Sequence, residues 1–161
     1  MDTSTRVSRL NACFTVLARG FLPYLRESMG PDLALPWQDL SPDLKALLAN
    51  AIREDESHVL EVLDRIEELG GKPELSAGNF PFLDFYFNYV EADYLARIAR
   101  GRLQADLASF EKAAAPLATD SKLGETVARI AAEKKAFVHR LEDWRAKRAA
   151  PAAAAPGTAV K

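Results

Sequence analysis

The stretch from Ser41 to Pro73 limits the fold more than any other, because its apolar residues recur only at helical spacing and both of its ends are marked. Ser41 suits an N-cap and Pro42 the first helical position. Gly70 and Gly71 supply a left-handed stop, with Pro73 just beyond. Between these ends Leu48, Ile52, Val59, Val62, Ile66 and Leu69 fall on one helical face, which predicts a helix over 42–69 that packs in a bundle. Asp55 sits in the gap of that apolar face and His58 one turn further on. An acid and an imidazole in a buried stripe need partners.

Three further segments carry the same periodicity. Over 6–29, Val7, Leu10, Phe14, Leu17, Phe21 and Tyr24 form an apolar stripe, and Pro23 inside it is expected to kink or shorten the helix. A link with Pro31, Pro36 and Trp37 follows. The helix expected over 82–114 opens in an aromatic cluster, Phe80 to Tyr89, and continues through Val90, Tyr94, Ile98 and Leu107, with Glu91 at the stripe edge. Over 122–147 the seam reads Leu123, Val127, Ile130, Lys134, Phe137, Leu141 and Trp144, so its only charge is Lys134. His139 reads as surface and Cys13 as a small core hydrophobe. Residues 149–161 are rich in Ala and Pro and are expected to be disordered. These segments predict an all-α, antiparallel four-helix bundle over 1–148, with short second and third links.

At 161 residues, 48% apolar and 27% charged, the chain is expected to be one soluble domain. A net charge of −2 offers no footprint for nucleic acid or an anionic membrane. No stretch approaches the ~18 apolar residues of a membrane span. The first residues lack a basic and then apolar leader, which points to the cytoplasm. Cys13 stands alone, so no internal disulfide or thiolate cluster is available. There is no phosphate-binding glycine loop and no nucleophile elbow.

His58, Arg65-Ile66, Leu69-Gly70-Gly71 and Pro73 together resemble the second helix of the ferritin-like proteins of bacterioferritin and rubrerythrin type. That resemblance implies a four-helix bundle holding two iron or manganese ions through a Glu on the first and third helices and Glu-x-x-His on the second and fourth. Laid on this pattern, Leu17 takes the first Glu position, with Tyr24 where family members often have Tyr. Asp55 and His58 fill the second helix and Glu91 the third, while Lys134 and Phe137 replace the Glu and His of the fourth. Leu17 and Phe137 cannot coordinate a cation, and Lys134 adds charge of the wrong sign.

The resemblance therefore implies a ferritin-like protein that has lost its di-iron centre and binds no cofactor. Its expected site is a buried polar cluster of Asp55, His58, Glu91 and Lys134, in which the ammonium replaces the metal charge. Such a bundle would be a structural or interaction module rather than an enzyme. Family habit implies a homo-oligomer or a protein partner, with Trp37 and Phe80 to Tyr89 as contact surface. A one-residue shift of the last helix gives the alternative: Asp55, His58, Glu91 and Glu133 around iron or manganese in an oxidoreductase or iron-handling protein, with Tyr24, Tyr86, Tyr89 or Tyr94 nearby for redox steps. A third reading is a small-molecule cavity lined by Leu17, Tyr94 and Phe137, with Asp55 and Lys134 as polar contacts.

Overall fold

Local chemistry marks where each helix begins and ends in the computed structural model, which describes residues 1–29, 41–76 and 91–149. Among them α1 is Thr3–Ala18, α2 Phe21–Met29, α3 Pro42–Glu68, α4 Ala92–Ala114 and α5 Ser121–Ala149, with a 3-10 turn at Ala115–Leu117. Asp2 caps α1 by accepting the Thr5 N–H at 2.7 Å. Asp120 does the same for α5, accepting the Leu123 N–H at 3.1 Å, and also pairs with Arg6. At the end of α3 the Gly71 N–H bonds the Ile66 carbonyl at 2.9 Å and the Gly70 N–H that of Glu67 at 2.8 Å. With Gly70 at φ 71°, these paired bonds form a Schellman stop.

The single helix expected over 6–29 is two. A β-carbon on Gly20 would lie 2.9 Å from the Val16 carbonyl oxygen and 3.0 Å from Asp106 Oδ2, so the close approach there requires glycine. The same Asp106 oxygen accepts the Phe21 N–H at 2.7 Å and caps the new helix. Pro23 lies in the first turn of α2, where a missing N–H breaks no intrahelical bond. The break is therefore set by Gly20 and Asp106, not by the proline.

The third helix begins later than its pattern suggested: Glu91 is an extended N-cap residue and Ala92 the first of α4. Twenty-three residues, 69–91, lie between α3 and α4, and 77–90 of them are outside the described residues. The expected helical residues 82–90, the aromatic cluster Phe80 to Tyr89 and Trp37 lie outside the described residues. So does the tail from 150 on, whereas Ala149 still belongs to α5.

The helices pack on one another as a ring. α1 and α2 lie against both α3 and α4, and α5 lies against the same two. Two apolar clusters fill the interior. One joins Phe21, Leu25, Leu44, Leu48, Leu95, Leu103, Phe137 and Leu141. The other joins Leu10, Leu17, Val62, Ile66, Phe110, Leu123 and Ile130. Each fully buried leucine in them contributes about 1.5–3 kcal/mol relative to exposure.

All four arms cross from one cluster to the other at the same level. The crossing falls between Leu17 and Phe21, between Ile52 and Val62, between Leu103 and Phe110, and between Ile130 and Phe137. What lies at that level is polar. Among the described residues, no helix is long and apolar enough to cross a membrane.

Candidate functional site

Helical periodicity places Ala51, Asp55, His58 and Val62 on one stripe of α3, and all four are buried. Asp55 is 3% exposed and His58 4%, so both need polar partners. α5 provides two in adjacent residues. Neighbours on a helix point about 100° apart, so they serve different partners. The Lys134 ammonium donates to Asp55 Oδ1, and Glu133 Oε2 lies 2.6 Å from His58 Nε2. With 12% of the Lys134 side chain exposed and 4% of Asp55, the first is a buried ion pair.

Charges on the rim complete the layer. Arg129 Nη1 binds Glu133 Oε1 at 2.9 Å while its other terminal nitrogen pairs with Glu61. Arg140 holds Glu54 at 2.8 Å. The hydrogen bond from His58, with Arg129 behind it, keeps the Glu133 carboxyl below its ordinary range. Glu133 is thus a carboxylate at neutral pH, and His58 Nε2 is the donor in their bond.

α4 contributes Asp106. Burial raises its carboxyl above the usual value, outweighing the Phe21 N–H bond and the nearby Lys134 charge that favour ionisation. Asp55 adds a smaller upward push. The layer thus joins a helix cap on one side to an ion pair on the other. Cys13 lies outside this layer, in the second cluster, and burial pushes its thiol up to about 12, which leaves it unreactive at neutral pH.

The structure brings together Asp55, His58, Lys134 and Glu133. Lys134 and Glu133 are not alternatives set by helix register: both reach into the layer, one to each α3 partner. Glu91 is not with them. It is exposed at the start of α4, fifteen positions before Asp106 and so about 22 Å away along the helix axis. The α4 carboxylate at this level is Asp106, which the aromatic stripe concealed. The buried α4 residues are Ala92, Leu95, Ala96, Ala99, Leu103, Phe110 and Ala114, and Tyr94 is 42% exposed. The signal for Asp106 was its place between Leu103 and Phe110, at steps of three and four.

A cavity of about 20 Å³ borders the layer on the side of the first cluster, lined by Leu22, Ala51, Glu54, Asp55, His58, Leu103, Glu133, Lys134 and Phe137. It is far smaller than a small-molecule site, which takes about 300 Å³ or more. Of the apolar residues expected around a ligand cavity only Phe137 borders it. Leu17 belongs to the second cluster and Tyr94 faces outward.

A di-metal centre does not fit these residues. Lys134 occupies Asp55, Leu17 and Phe137 are buried hydrocarbons, and Glu91 is remote. Among the described residues no group of three or more His, Cys, Asp and Glu is arranged to hold a metal ion. Neither a family model nor any curated protein or solved structure matches the chain.

Proposed function

We propose that this chain is a ferritin-like, antiparallel four-helix bundle whose metal layer has been replaced by side-chain cations, and that it acts as a structural or interaction module without redox chemistry. The observation that carries this reading is the Lys134 ammonium bound to Asp55 at the level shared by all four arms. Carboxylates gathered in a core repel unless a cation lies among them. Lys134 does this for Asp55, and Arg129 does it for Glu61 and Glu133 at the rim.

The connectivity supports the same reading. α1, which opens the first arm, and the start of α5 share an apolar cluster with the ends of α3 and α4. An arrangement in which each helix runs antiparallel to both its neighbours accounts for this. It requires a long link between α3 and α4, and the 23 residues there, at up to ~3.3 Å each, exceed the ~35 Å length of α4.

The test is the metal content of tag-free protein purified from iron-supplemented and from manganese-supplemented cells, beside Asp55→Ala and His58→Ala. Substoichiometric metal in every sample is expected. One or two ions per chain in the parent, lost in both variants, would replace the scaffold reading with a metal-dependent oxidoreductase.

A further inference from the structure

His58 spends one ring nitrogen on Glu133 and has another to satisfy. Nδ1 is buried and has no hydrogen-bond partner among protein atoms. An acceptor left this way in an interior is unfavourable, and buried polar atoms of native proteins are nearly always bonded to protein or to ordered water. The void of about 20 Å³ is bordered by His58 itself and by Asp55, Glu54, Glu133 and Lys134. A water needs ~10–15 Å³ of such space and two to four polar neighbours, so the volume fits one water and nothing larger.

We propose that this void is a binding site for a single ordered water, which joins the Lys134–Asp55 and His58–Glu133 pairs into one network. The donors and acceptors balance. Glu133 is a carboxylate, so Nε2 carries the ring proton of their bond, and in that tautomer Nδ1 offers a lone pair. One O–H of the water goes to Nδ1 and the other to a bordering carboxylate. Its oxygen accepts from Lys134, whose ammonium has three protons and spends one on Asp55.

A divalent cation suits the same space less well. Lys134 repels it, and Asp55 and Glu54 already serve Lys134 and Arg140. The water site stands on this geometry alone and does not depend on the family reading. Its consequence is directional: a chain of bonds from Arg129 through Glu133, His58 and the water to Lys134 and Asp55 would fix how α3 faces α5.

Nuclear magnetic resonance on the full, isotopically labelled chain tests it. Long-range nitrogen–proton correlation assigns the His58 tautomer, and cross-relaxation from solvent to its ring protons detects a long-lived water. The expected result is the tautomer protonated at Nε2, with a bound-water cross-peak. Ala51→Val fills the border of the void and should remove that cross-peak while the helical circular dichroism is kept. A ring protonated at Nδ1, no cross-peak in the parent, or a cross-peak unchanged in Ala51→Val would each overturn the proposal. So would a stoichiometric shift of the His58 resonances on adding zinc.

Discussion

Lys134 and Asp55 meet where neither has much solvent to fall back on, with 12% and 4% of their side chains exposed. Removing one member of such a pair leaves a buried, uncompensated charge, at a cost of about 3–5 kcal/mol, whereas replacing both by hydrocarbon of similar size is close to neutral. Lys134→Met should therefore lower the free energy of urea unfolding by roughly that amount, and the double variant Asp55→Leu/Lys134→Met should recover most of it. A double variant as unstable as the sum of its parts would show that the pair is not isolated from solvent. Asp106 yields a prediction of a different kind. Its folded carboxyl binds protons more tightly than the ordinary value of 3.8, so its contribution to stability is complete below that pH and is lost as pH rises through the shifted value. Asp106→Asn keeps an acceptor for the Phe21 N–H and cannot ionise. Measured from pH 3 upward, its stability relative to the parent should climb through that window and then level off. A relative stability that falls instead would mean that the ionised carboxylate is net favourable at the α2 terminus.

Among the elements, α5 was the most legible, because its expected seam is continuous: six apolar positions are buried and the seventh is Lys134 at the polar level. The α3 pattern also placed Asp55 and His58 correctly on the buried face, since large apolar residues flank them at helical steps. α4 was obscured by size. Its interior stripe relies on Ala92, Ala96 and Ala99, while the bulkier Tyr94 faces solvent with Arg97 stacked 5.0 Å from its ring. Reading phase from the bulky residues turned the helix, exchanging Asp106 for Glu91. Glu133 reads as a rival of Lys134 in the sequence because backbone phase cannot show that a side chain 42% exposed still reaches inward to His58. The division of α1 from α2 was hidden for another reason, since it depends on a carboxylate 85 residues away. This assigns opposite outcomes to neighbouring substitutions. Gly20→Ala forces a β-carbon against the Val16 carbonyl and Asp106, and should cost on the order of 1–3 kcal/mol in thermal unfolding. Pro23→Ala, in a first turn that needs no N–H, should change stability by no more than about 1 kcal/mol. Equal losses would place the break at the proline after all.

For the whole molecule, the polar layer divides the interior without dividing the chain evenly. α3, α4 and α5 each run unbroken through both apolar clusters, so they tie the two halves together by covalent helix. The remaining arm is broken at the layer, and its second piece, α2, has only nine residues. α2 is held by Phe21, Leu22 and Leu25 in the first cluster and by the Asp106 cap. A segment attached in this way can open without the rest. Native-state hydrogen exchange should separate the two kinds of coupling. Asp106→Ala removes a cap worth about 0.5–2 kcal/mol and should speed exchange in α2 by up to about 30-fold. The α1 amides around Leu10 to Leu17 should keep their protection, because their cluster is made by the far halves of α3, α4 and α5. Lys134→Met should behave otherwise, lowering protection around both Leu48 and Val62, since those residues share one continuous helix with Asp55 between them. Uniform loss of protection in Asp106→Ala would mean that the break at Gly20 does not bound a cooperative unit, and that the four arms open only together.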